Sequence, residues 1–141
     1  MSSGAVLAVF AGVAIATQVV VNSIGLRDLG IGGLVGISGL ATGIVGFALA
    51  LSAGRPEVTG KALACAAASG VLGAFIIGSI VLAANEGGIA RTLSLVIASQ
   101  LIAGLFIDRS GLFGEAAQQI GPARIVGIAL ILAGGILLVR D

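Results

Sequence analysis

Residues 29–54 read LGIGGLVGISGLATGIVGFALALSAG, twenty-six positions without a charged side chain. Crossing the ~30 Å hydrocarbon core of a bilayer takes about 20 apolar residues as a helix. The stretch is therefore long enough to span, and its apolar run does not alternate with the period of two that a barrel strand needs. Similar runs lie on both sides of it. Residues 1–26 and 62–85 also carry no side-chain charge. The shorter runs 92–107 and 125–139 are bounded by Arg91 and Arg109, and by Arg124 and Arg140. Arginines at such ends can extend their heads to the interface.

The sequence predicts five membrane helices at about 4–25, 31–53, 62–84, 90–108 and 123–140, forming a single membrane domain over residues 1–141. The breaks between them are turn-like. LRDLGIGG (26–33) holds Arg27, Asp28 and three glycines, GRPEVTGK (54–61) holds Pro56, and NEGG occupies 85–88. SGLFGEAAQQIGP (110–122) ends on Pro122, suited to the first turn of a helix. The first run lacks a positive leading segment and reads as a span rather than a cleaved leader.

Composition agrees and excludes other classes. Hydrophobic residues make up 58% of the 141 and charged residues 9%, against about 25% charged in a soluble domain. Mean hydropathy is +1.24. The net charge of +1 leaves no basic patch for nucleic acid. There is no His and a single Cys, Cys65, in the apolar run ALACAAASG. A His/Cys metal site and an intrachain disulfide are excluded, and no cofactor is expected. With no carboxylate pair on one helix face either, an enzyme is disfavoured.

Glycine and the few polar side chains carry the remaining information. In the second span Gly32/Gly36 and Gly39/Gly43 form GxxxG pairs. Such pairs let helix backbones approach closely, within one chain or against a second copy. Gln18 and Asn22 lie four apart on one face of the first span, and Ser99 and Gln100 lie mid-way along the fourth. Polar side chains inside spans either bond helices together or line a path for a polar solute. Gln18 and Gln100 fall at similar depth from the same side, so the predicted lining is Gln18, Asn22, Ser99 and Gln100. Asp108 and Arg109 are candidates for a gate or hairpin, with Asp108 able to pair with Arg109 or Arg124. No carboxylate lies deep in a span, which disfavours obligatory proton coupling.

Charge by side is nearly balanced. With the N-terminus on side A, that side holds Arg55, Lys61, Arg109 and Arg124, and side B holds Arg27, Arg91 and Arg140. Lys/Arg excess in short loops sets orientation, and four against three sets it weakly. Five spans put the termini on opposite sides, so two oppositely inserted copies would form an inverted 5+5 repeat, as many transporters do.

Two segments then point to a family. IASQLIAGLFIDRSGLFG (97–114) and PARIVGIALILAGGILLVR (122–140) resemble the second half of the YdcZ family of the drug/metabolite transporter superfamily, through Gln100, Asp108, Gly111, Gly114, Gly127 and Gly134. Gln18, Asn22 and Gly25 fit its first-span pattern, with Ile24 where that pattern has leucine. The resemblance covers nearly the whole chain. It implies a five-span half-transporter of the bacterial inner membrane, in a family known in single, paired and fused forms with antiparallel halves. The related small multidrug resistance proteins have four spans and a glutamate in the first, where this chain offers Gln18, so their proton antiport is not implied. The expected function is a small-solute transporter subunit working as a dual-topology, antiparallel homodimer by alternating access. Its partners are the lipid bilayer, a second inverted copy and a small polar or amphipathic solute. The alternative is a non-transporting structural or assembly subunit of a membrane complex.

Overall fold

A computed structural model of the chain describes residues 2–54, 58–110 and 121–140. It is all-helical over these residues, with no strand. The helices are α1 (Ser3–Ala53), α2 (Gly60–Gly87), α3 (Ile89–Ser110) and α4 (Pro122–Arg140). All four are long and apolar enough to cross a membrane. A membrane-embedded backbone must satisfy its own N–H and C=O groups, and a helix does so within one segment.

The 51 residues of α1 would measure about 77 Å as one rod, more than twice the hydrocarbon thickness. They are not one rod. Gly30 takes φ 63° and ψ 173°, which interrupts the helix. The turn expected over 26–33 is therefore narrower than its glycines and charges suggest: Arg27 and Asp28 stay helical, and the break is Gly30. Across it, Leu34 returns onto Gly25, where a Cβ would meet Leu34 Cδ1 at 3.2 Å.

The other ends follow local chemistry. Ser2 caps α1, its side chain accepting from the Ala5 N–H, and the Thr59 hydroxyl oxygen accepts from the Ala62 N–H at the start of α2. NEGG does not form a turn throughout. Asn85, Glu86 and Gly87 complete α2, and Gly88, at φ 81°, separates it from α3. Pro122 opens α4, where its missing N–H costs no helix bond.

The chain divides into two compact units, residues 1–85 and 86–141. In the first, the buried side chains are Val19, Asn22, Leu34, Val81 and Ala84. They stand on both sides of the Gly30 break and in the last turns of α2, where Gly78 lies under Ile31 (3.7 Å from a Cβ placed there). The opposite reaches, 3–15 and 60–72, are exposed throughout. In the second unit α3 packs on α4. Asp108 near the end of α3 meets Arg124 near the start of α4, and Ser94 near the start of α3 lies against Gly135. The two helices therefore run antiparallel.

Gly30 gives a clean test of the break. Nothing lies within 4 Å of a Cβ built there, so a side chain meets strain rather than a clash. Gly30→Ala should lower unfolding stability by about 1–3 kcal/mol, the cost of a non-glycine residue in such a conformation. Gly12→Ala, at an equally open helical position, should not lower it. Reversible unfolding in mixed micelles measures both.

Candidate functional site

Of the four helices described, α3 is the least apolar. Most of its hydroxyls are spent on the helix itself. Ser94 Oγ donates to the Ala90 carbonyl at 2.8 Å, Ser99 Oγ to Val96 at 2.9 Å and Ser110 Oγ to Ile107 at 2.7 Å. Such back-bonding satisfies the hydroxyl without a second helix. Ser99, expected in the lining, thus has its donor occupied locally.

Gln100 is different. It is exposed, and its longer side chain stands on the same face as Gly104 and Asp108, one turn and two turns on. These three, with Leu101, Leu105 and the facing Arg124 and Ile128 of α4, line an open cavity of about 200 Å³. Gly104 leaves the middle of the floor without a side chain. One end of the groove is a carboxamide; the other is an ion pair between Asp108 Oδ2 and Arg124 Nη2. A second cavity of about 200 Å³ lies further along the seam, lined by Ser94, Ile97, Ile131, Gly134, Gly135 and Leu138. Its one side-chain hydroxyl, that of Ser94, is already bonded to Ala90, so it offers an apolar surface.

Asp108 had two candidate partners, and the antiparallel hairpin selects Arg124. Adjacent residues on a helix do not face each other. Arg109 instead sits exposed in the last turn of α3, where its charge complements the negative end of the helix dipole. Spacing in sequence did not single out Arg124 or Ile128 as lining residues. The signal available was the antiparallel hairpin, which brings the start of α4 beside the end of α3.

The first unit holds the other predicted lining residues. Gln18 is exposed and Asn22 is 7% exposed, among the few buried polar residues described. Beside Asn22, Ser23 Oγ is buried without a hydrogen-bond partner among the described residues. Thr17 and Thr42 back-bond to Val13 and Ser38, each at 2.9 Å. Measured from the break at Gly30, Gln18 is twelve residues along its helix, about 18 Å; Gln100 is eleven residues from Ile89, about 16 Å.

The glycines divide into two groups. Gly25, Gly33, Gly78, Gly87 and Gly135 lie against neighbouring side chains. Gly32, Gly36, Gly39 and Gly43, expected at a packing contact, have nothing within 4 Å of a Cβ built on them. Arg55 of the charge tally, and Gly111 and Gly114 of the hairpin motif, lie outside the described residues.

The sequence pattern of a family described as "Putative inner membrane exporter, YdcZ" matches residues 3–137. The chain belongs to the YdcZ family. The match runs from the start of α1 almost to the end of α4 and includes every residue of the groove. No curated protein and no solved structure matches the chain. YdcZ membership and the four span-capable helices make this a multi-pass inner-membrane protein, and its family is one of exporters rather than of enzymes.

The ion pair is accessible, at 45% for the Arg124 side chain and 34% for that of Asp108. Coupling between exposed charges is small, about 0.2–1 kcal/mol. A double-mutant cycle of Asp108→Asn and Arg124→Gln, read by unfolding in micelles, should give a value in that range. Arg124 takes part in a further interaction, so Arg124→Gln alone should cost more than Asp108→Asn alone.

Proposed function

We propose that the chain is one half of a small-solute transporter, working as an antiparallel homodimer by alternating access. The observation that carries it is the α3–α4 groove, a cavity with Gln100 at one end and the Asp108–Arg124 pair at the other, in a chain of an exporter family. A carboxamide that only joined the two helices would have no need of an open cavity beside it. Gln18, Asn22, Ser99 and Gln100 contribute the solute path, with Ser99 as an acceptor through its hydroxyl oxygen. The solute is small and polar or amphipathic.

The break at Gly30 supports five crossings. It divides α1 into stretches of about 27 and 23 residues, roughly 40 and 35 Å long, each sufficient for one span. An odd number of crossings makes two opposite insertions complementary. The open glycine stripe of Gly32, Gly36, Gly39 and Gly43 supports a second copy as its cover, since small residues let helices approach closely in lipid. The weak Lys/Arg bias supports insertion in both orientations.

Two measurements test this reading. Gln100→Ala and Gln18→Ala should abolish solute flux in proteoliposomes while thermal stability stays close to that of the parent. Variants that instead lose stability, with flux intact in the surviving fraction, would favour the structural or assembly subunit. A C-terminal reporter should be found on both sides of the membrane in comparable amounts. Two lysines added beside Lys61 should shift that ratio and lower the activity of the singly expressed chain. Co-expression with a variant carrying two added lysines beside Arg27 should restore it. A reporter confined to one side in the unmodified chain would sink the antiparallel homodimer.

A further inference from the structure

We propose that the apolar end of the α3–α4 seam binds a glycerophospholipid, with one acyl chain lying in the seam and the phosphate held by Arg91. This site lies at the opposite end of the seam from Gln100 and does not depend on the solute path.

The two ends of the α3–α4 hairpin are closed differently. Near the end of α3 the Asp108–Arg124 pair joins the helices. Near its start Ser94 lies against Gly135, and beside that contact runs the cavity of about 200 Å³ lined by Ser94, Ile97, Ile131, Gly134, Gly135 and Leu138. Its walls ask for no hydrogen-bond acceptor, because the Ser94 hydroxyl already donates to Ala90. Ile97, Ile131 and Leu138 are each about half exposed, so the furrow opens sideways. A furrow with no atoms in it forfeits dispersion contacts along both walls.

Shape selects the occupant. Ile131 and Leu138 are seven residues apart, about 10 Å along the helix, which leaves a furrow about 4–5 Å wide. A second helix, 10–12 Å across with its side chains, does not enter it. A single side chain from a neighbour would enter across the furrow and fill one spot. A polymethylene chain runs along it, as the tails of a bilayer run beside a spanning helix, and touches both walls throughout. Register then places the head group. Ser94 against Gly135 in an antiparallel pair sets Arg91 level with Leu138, at the outer end of the furrow, and Arg91 neighbours Ser94 on the helix surface. Arg91 is exposed, its stem lies against Gly87 (Cδ 3.5 Å from a Cβ placed there), and it makes no ion pair among the described residues. Glu86, the carboxylate nearest it in sequence, does not pair with it. A guanidinium suits a phosphate, whose oxygens accept two parallel N–H bonds. Furrow and arginine thus match two parts of one amphiphile, and a glycerophospholipid is the amphiphile that surrounds a membrane protein.

The full chain in dodecyl maltoside micelles is titrated with phosphatidylglycerol carrying a photoreactive diazirine midway along one acyl chain, and labelled positions are mapped by peptide mass spectrometry. Saturable labelling at Ile97, Ile131 or Leu138 is expected, above that at the exposed Phe10 and Phe47. The matching diacylglycerol, which keeps the tails and lacks the phosphate, should label the seam about fivefold more weakly, the effect of one arginine near a membrane surface. Arg91→Gln should bring phosphatidylglycerol down to the diacylglycerol level, and Arg91→Lys should keep most of the labelling. A Cβ at Gly134 has nothing within 4 Å, so Gly134→Leu should fill the furrow and abolish seam labelling. Ile97→Phe fills it from the other wall and should do the same, so that poor folding of one variant leaves the other to decide. Labelling that never saturates and spreads evenly over the exposed faces overturns the proposal, as does seam labelling indifferent to the phosphate and to Arg91. Photo-cross-links between two copies at Ile131 or Leu138, in place of lipid adducts, would give the furrow to a protein neighbour and overturn it too.

Discussion

In hydrocarbon no water reaches the backbone, so every amide must find its partner inside the protein. That constraint decides most of what this chain does. It makes each apolar run a helix and confines the interruptions to places where the chain can leave the helix cheaply. The positive-φ residues among those described are Gly30, Gly54 and Gly88, and each ends a helical stretch. Gly30 comes two residues after Asp28, so the break lies beside charges that hold their end of the helix near the interface. It also brings Leu34 back onto Gly25, and Ile31, next to it, lies against Gly78.

Helix class was legible because charge-free length is a strong signal in lipid. The position of the first break was legible only coarsely. LRDLGIGG offers three glycines and two charges, and nothing in the spacing says which residue leaves the helix; Arg27 and Asp28 stay in it because their side chains reach the interface without a change of backbone. The glycine contacts within the chain were not legible for a related reason. A GxxxG pair shows that a face is smooth but not what lies against it, and among the described residues the glycines with a neighbour against them are Gly25, Gly33, Gly78, Gly87 and Gly135, outside the regular stripe. At the site, Gln100, Gly104 and Asp108 could be placed on one face from spacing alone. Arg124 and Ile128 join them through the antiparallel α3–α4 packing, a long-range contact that no local pattern encodes.

The polar residues of α3 separate by reach. A serine hydroxyl is short enough to bond the carbonyl three or four residues back, and Ser94, Ser99 and Ser110 all do so. Their polarity is consumed by their own helix, at little cost to folding and with little left to offer a ligand's acceptor. A glutamine carries its carboxamide past that carbonyl row, so Gln100 presents both a donor and an acceptor to the groove. Polar content alone would rank these positions together; reach ranks Gln100 first.

Exposure has a different meaning for the two kinds of bare surface on this chain. Leu7, Phe10, Leu40, Phe47 and Phe75 are all more than half exposed, and in a bilayer that is their ordinary state, because a lipid tail is as apolar as a leucine. Hydrophobicity alone therefore calls for no partner. The face of Gly32, Gly36, Gly39 and Gly43 is another matter. It lacks side chains rather than apolar character, and what it gains from a neighbour is van der Waals contact along the backbone. A flexible acyl chain would have to be ordered to follow such a furrow, whereas a second helix is already rigid. The glycine face, more than the leucines around it, is the part of this surface on which a protein neighbour does better than lipid.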